Sequence, residues 1–165
     1  MLILILSSCG GGGSSSPENI SPSEIDNDDS FNETCIDTSR SGMKRCDIKH
    51  DNLDRFYYIY TPNNLDTNES IPVLFAFHGY GSSAIRHLSY TNYFPLADTE
   101  NFIVVYPQGA TTATLSSHWN VGGWTSKSTI NDLDFVDTVI GLIKDKVQID
   151  ETRIYSSGMS NGGYM

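Results

Sequence analysis

The stretch RIYSSGMSNGG, residues 153–163, decides how this chain is read. Its first half sets a β-branched and an aromatic residue among small ones and stops at Gly158, the profile of a short strand. Its second half, Gly158-Met159-Ser160-Asn161-Gly162, places a serine between two residues that lack a Cβ. A serine at a sharp strand-to-helix bend takes strained dihedrals, and glycines at the flanking positions avoid collision with neighbouring backbone. Such a bend lifts the Ser160 hydroxyl above the carboxyl end of a sheet. It also aims the first N–H groups of the following helix at the same point, where developing negative charge is stabilised.

Upstream, the pattern alternates between strands and helices. Residues 71–77 (IPVLFAF) form a continuous apolar run of strand length, as expected of a strand buried on both faces, and residues 102–106 (FIVVY) repeat it up to Pro107. Residues 55–61 (RFYYIYT) are aromatic and β-branched and stop at Pro62, another strand. Between the last two inner strands, Val136, Val139, Ile140, Ile143 and Val147 recur at helical spacing, which predicts a helix over 131–147. Asp132 and Asp134 near its start and Lys144 and Lys146 near its end suit the helix dipole, and the two acids read as capping residues. Strand, helix, strand with short connections is the crossover unit of a parallel sheet, so the expected fold class is α/β, a mostly parallel sheet flanked by helices. Residues 110–130 fit neither period and read as a long surface loop; its Trp119 and Trp124 are candidates for lining a site, or one of them for covering the sheet edge.

Composition narrows the function classes. Ten Lys+Arg against twenty Asp+Glu give a net charge of −10, and the basic residues do not cluster, so no nucleic-acid partner is expected. Three cysteines without paired Cys-X-X-Cys spacing give no reason to start from a metal site, and no cofactor is implied. The apolar run at residues 2–6 is far shorter than the roughly 18–20 residues of a spanning helix. That run and Ser7-Ser8 lead directly into Cys9, a pattern that resembles the lipobox of bacterial lipoproteins. The resemblance implies acylation of Cys9, a membrane-surface anchor and an extracytoplasmic location. Residues 10–16 (GGGGSSS) cannot bury side chains, and residues 17–34 hold six acids and no base, so residues 10–50 are expected to be a flexible linker ahead of a domain at 51–165. Cys35 and Cys46 are close enough in sequence to close a small loop, and in a protein that leaves the cytosol a disulfide is the simpler expectation.

The chain resembles the α/β-hydrolase esterases that include the polyhydroxybutyrate depolymerase and feruloyl/acetylxylan esterase groups. The residues that carry the resemblance are RFYYIYTP (55–62), PVLFAFHGYGSS (72–83), LAD (96–98), FIVVYPQG (102–109), HWN (118–120), DLDF (132–135) and IDETRIYSSGMSNGGYM (149–165). It implies an α/β-hydrolase fold and an extracytoplasmic serine esterase acting on polymer or plant-wall esters. Carried over residue by residue, Ser160 is the nucleophile at the elbow, and the main-chain N–H groups of Asn161 and Tyr80 form the oxyanion hole, with Gly81 beside it. Because these donors are main-chain atoms, the side chains at 80 and 161 are expected to be free to vary. Trp119 and Trp124 are the candidate substrate-binding aromatics.

A serine hydroxyl needs a base and an orienting carboxylate, which in this fold follow the serine along the chain. His50, His78, His87 and His118 all precede Ser160. His78 belongs to the oxyanion loop as a structural residue, His87 sits in a polar stretch expected to face solvent, and His118 lies in the tryptophan loop. The triad Asp and His, and the C-terminal part of the sheet, are therefore expected beyond Met165. The other reading is a catalytically dead, lipid-anchored surface protein that binds glycan or polymer through its aromatic residues, against which the intact Ser160 motif speaks.

Overall fold

A computed structural model describes residues 33–165. Cys9 and the Gly/Ser stretch lie outside these residues. Six strands form one sheet: β1 (Thr34–Asp37), β2 (Met43–His50), β3 (Leu53–Tyr60), β4 (Ile71–Phe77), β5 (Ile103–Pro107) and β6 (Ile149–Gly158), in the order β1-β2-β3-β5-β4-β6. The sheet is mixed rather than mostly parallel: β1 to β3 and the β3–β5 pair are antiparallel, and only β5-β4-β6 are parallel. The parallel part is where crossovers occur. Helices α1 (Ala84–Thr91) and α2 (Phe94–Glu100) connect β4 to β5, and α3 (Asp132–Lys144) precedes β6.

The apolar runs explain the centre of the sheet. Every residue of β5 is buried and β4 is nearly so, because both strands have neighbours on each side and packed layers on each face. One face packs Phe75, Phe77 and Trp119 against the α3 stripe of Phe135, Val139 and Ile143; the other packs Tyr60 and Tyr106 with Leu88 of α1 and Phe94 of α2. Helices α1 and α2 have eight and seven residues, too short to show a period, and each ends on an asparagine in the left-handed region, Asn92 and Asn101.

The linker boundary needs correction. Residues 34–50 are not a flexible spacer: they form β1 and β2, paired in continuous register with β3. A disulfide joins Cys35 to Cys46, which lie directly opposite each other across the β1–β2 pair. From Cys46 onward β2 alternates, with Cys46, Ile48 and His50 buried and Asp47 and Lys49 more exposed, a two-residue period that the charged residues on the other face masked in the sequence; Met43 is buried out of phase, in the cluster with Tyr60 on the opposite face. Among the described residues no helix is long and apolar enough to cross a membrane.

The capping assignment at α3 also changes. Asn131 caps the helix by accepting the Asp134 N–H at 3.2 Å. Asp132 is instead buried in an ion pair with Arg55 at 2.7 Å, and its other oxygen accepts the Asn120 N–H at 2.8 Å. Burial pushes the Arg55 guanidinium down from its ordinary pKa, opposed by the Asp132 charge. Asp134 accepts from His50 Nε2 at 2.9 Å. The first turn of α3 is thus fastened to β2, β3 and the loop before it.

Candidate active site

The parallel strands deliver their carboxyl ends to one point. Phe77 of β4 is in register with Gly158 of β6, and the Met159 N–H donates to the Phe77 carbonyl at 3.2 Å. From there the chain turns into a single 3-10 turn, Ser160–Gly163. Ser160 has φ of 51°, the left-handed region that a residue with a Cβ rarely occupies, and it is exposed. Holding a non-glycine residue there costs on the order of 1–3 kcal/mol, which the surrounding packing must impose.

The flanking glycines are what allow this bend. A Cβ on Gly158 would stand 2.7 Å from the Gly163 nitrogen and closer still to the Gly162 carbonyl. A Cβ on Gly162 would stand 2.6 Å from the His78 oxygen and closer to that of Phe77. The elbow is therefore pressed directly onto the end of β4. A Cβ placed on Gly79 would lie only 3.6 Å from the Ser160 Cβ, so the 78–81 loop runs beside the serine.

Tyr80 is 42 % exposed and its side-chain oxygen accepts the Ser116 N–H at 3.2 Å. The neighbouring Gly81 N–H is committed to the Ser117 carbonyl at 2.7 Å.

Asn161 is fully buried, and its side chain is fixed rather than free to vary. Its Oδ1 accepts the Trp119 N–H at 2.8 Å, and its Nδ2 donates to the Trp119 carbonyl at 3.1 Å. Trp119 is likewise fully buried, which corrects its assignment as a substrate-binding aromatic. Its ring packs 5.1 Å from those of Phe77 and His78, and its indole N–H donates to the His78 carbonyl at 2.9 Å. Trp119 thus ties the 78–81 loop to the elbow. Trp124 stays 55 % exposed, at 5.1 Å from the Tyr80 ring.

Four histidines are placed. His78 is buried; its Nδ1–H donates to the Gly79 carbonyl at 2.8 Å and its Nε2 accepts the Gly109 N–H at 2.9 Å, and burial pushes its pKa down. His50 is held by Asp134. His118 is buried with Nδ1 on the Ser116 carbonyl at 2.8 Å. His87 does not face solvent: α1 turns it inward beside Tyr106, where neither ring nitrogen has a hydrogen-bond partner among the described residues. Sequence reasoning also missed Gln108, whose amide donates to Ser117 Oγ and the Gly109 carbonyl while its Oε1 accepts the Ala84 N–H that opens α1. Its only sequence signal was a polar residue directly after a buried strand.

Residues 87–165 match the prolyl oligopeptidase family. The chain is 36 % identical over 109 residues to a bifunctional acetylxylan esterase/xylanase, XynS20E, of Neocallimastix patriciarum, covering 66 % of this chain and 15 % of that protein. It is 34 % identical over 110 residues to feruloyl esterase B of Thermothelomyces thermophilus, covering 66 % of this chain and 36 % of that one. It is 33 % identical over 118 residues to acetylxylan esterase A of Emericella nidulans, covering 66 % and 35 %. The chain therefore spans no more than about a third of the length of these relatives.

Among solved structures, an S-formylglutathione hydrolase from Agrobacterium tumefaciens superposes with a TM-score of 0.61 at 15 % identity, over 78 % of this chain and 53 % of that one. A thermostable esterase superposes at 0.58 with 20 % identity, over 74 % and 36 %. The chain carries part of an α/β-hydrolase fold and is related in sequence to acetylxylan and feruloyl esterases.

Proposed function

We propose that the protein is a serine esterase that cleaves carboxylic esters through an acyl-enzyme. The observation that carries this reading is the conformation of Ser160: exposed, at φ 51°, between two glycines that no larger residue could replace, and beside Gly79. The Ser160 oxygen bonds to the ester carbonyl carbon while its proton passes to a base. The carbonyl oxygen takes the negative charge, facing the Tyr80 and Asn161 amides. The alcohol leaves with a proton, and water then releases the acid and restores Ser160. Removing one side-chain oxyanion donor typically costs roughly 10²–10³-fold in turnover, which sets the scale of such a cradle.

The base does not come from the described residues. His50 and His78 are engaged, and His87 and His118 are buried. We therefore expect residues 33–165 alone to be inactive, since loss of the base in such a triad costs about six orders of magnitude. Acetylated xylan, plant-wall phenolic esters and polyhydroxyalkanoate are the candidate substrates, the first two supported by the names of the relatives. The Cys35–Cys46 disulfide supports an extracytoplasmic location, to which the Cys9 motif adds a membrane-surface anchor.

A fluorophosphonate probe applied to the full-length gene product tests the proposal. An adduct mapped to Ser160 and lost in Ser160→Ala is expected. A folded product that hydrolyses no ester and takes no label would instead favour the catalytically dead binder.

A further inference from the structure

The peptide that joins Gly79 to Tyr80 belongs to the loop beside Ser160, and its carbonyl and N–H point opposite ways from one rigid plane. The carbonyl is held twice: His78 Nδ1–H donates to it at 2.8 Å and the Ser82 N–H at 3.1 Å. The direction of the Tyr80 N–H is therefore tied to the His78 ring. That ring has one neutral tautomer open to it, because its Nε2 accepts the Gly109 N–H at 2.9 Å and so leaves the proton on Nδ1.

Gln108 stands at the far side of this ring. Its main chain is fastened to β3, with its N–H on the Phe56 carbonyl at 3.0 Å and its carbonyl on Arg55 Nη2 at 3.2 Å. From that fixed base the side-chain nitrogen lies 3.2 Å from His78 Nε2 and donates to Ser117 Oγ at 2.7 Å and to the Gly109 carbonyl at 2.9 Å. Its oxygen takes the Ala84 N–H at 2.9 Å, where the loop that begins at His78 enters α1. Ser117 in turn offers its carbonyl to the Gly81 N–H at 2.7 Å. One side chain, anchored at the end of an inner strand, thus reaches the 78–84 loop at its start and its end directly and at its middle through Ser117.

We propose that Gln108 is a positioning residue for the Tyr80 amide, holding the 78–84 loop where that amide meets the substrate oxygen at Ser160. Without the polar atoms of this side chain, the Ala84 N–H and the Ser117 hydroxyl lose a partner, and the His78 ring and the Gly79–Tyr80 plane are free to tilt. The oxyanion donor is then misplaced rather than missing. The cost falls on the transition state, where the oxygen carries charge, and not on binding of the neutral ester. The kinetic part of this inference rests on the serine esterase reading, whereas the hold on the loop involves no chemistry.

Two replacements in the full-length product test it. Gln108→Met keeps the length of the side chain but has no donor, whereas Gln108→Glu keeps an acceptor for the Ala84 N–H and can accept from the Ser117 hydroxyl. Amide hydrogen exchange over residues 79–84 should quicken by about tenfold in Gln108→Met, the scale of one lost hydrogen bond, with β4 at its parental rate and with the same result in a Ser160→Ala background. Unchanged exchange there refutes the hold on the loop whatever Ser160 does. If Gln108→Met does not fold, Ser117→Ala removes one partner of the amide and is read by the same exchange. With methyl butyrate, Gln108→Met should lower kcat by about ten- to a hundredfold at unchanged KM, less than the roughly 10²–10³-fold of a donor removed outright, and Gln108→Glu should recover part of that loss. A change confined to KM, or equal losses in the two variants, refutes the coupling to the oxyanion. A folded parent that hydrolyses no ester refutes the serine esterase reading instead, and the exchange rates then decide the hold on the loop by themselves.

Discussion

Asn161→Ala is the substitution whose cost the structure sets most directly. The side chain at 161 makes two hydrogen bonds, at 2.8 and 3.1 Å, to both main-chain groups of Trp119, and both residues are fully buried. Alanine leaves the Trp119 N–H and carbonyl without partners in the interior, at about 1–3 kcal/mol for each unsatisfied group. A loss of about 2–6 kcal/mol is a large part of the roughly 5–15 kcal/mol that holds a typical domain together. With a urea slope on the order of 1–3 kcal/mol per molar, the unfolding midpoint should fall by roughly 1–2 M. Fluorescence of the buried Trp119 reports the transition.

Asn161→Asp sharpens the test. A protonated aspartic acid offers one donor and one acceptor, as the amide does, whereas the carboxylate loses the donor and buries a charge. Its folded-state pKa therefore lies above the unfolded value near 3.9, so the stability it retains is present at acid pH and is lost as pH rises. An Asn161→Ala midpoint equal to that of the parent would show that the Trp119 clamp carries no weight.

Three further outcomes are expected. Reducing the Cys35–Cys46 bridge, which closes a separation of 11 residues, should lower stability by up to about 3 kcal/mol, read as a urea midpoint in the presence and absence of reductant; no shift would mean that β1 contributes nothing to the cooperative unit. Burial holds the His87 pKa below its usual 6.5, so the unfolded chain takes up that proton first; stability should be full above about pH 6.5 and fall as pH drops, by at most about 1.4 kcal/mol per pH unit from this group. His87→Leu should flatten that acid slope, and an identical slope in both proteins would rule His87 out as its source. Gly162→Ala forces a Cβ against the Phe77 and His78 carbonyls and should cost about 1–3 kcal/mol or more, together with loss of any Ser160 labelling; retained labelling at parental rate would contradict the close packing of elbow on strand.

The amino-acid sequence by itself determined the parts that rest on local pattern. The continuous apolar runs gave β4 and β5, the 3–4 spacing gave α3, and the pair of glycines around Ser160 gave the bend, because burial on both faces, helical periodicity and a missing Cβ are each written in neighbouring residues. Tertiary structure alone decided what rests on distant residues meeting. The charged face of β2 hid a strand that only pairing with β3 reveals, and a polar stretch around His87 became an inward helix face once α1 had a sheet to cover. Asp132 looked like a cap until Arg55, 77 positions away, arrived to pair with it. Trp119 and Trp124 are alike in sequence, yet one is a buried strut and the other an exposed surface. The difference follows from Asn161 and His78, which supply partners for the polar groups of the first and make its burial possible.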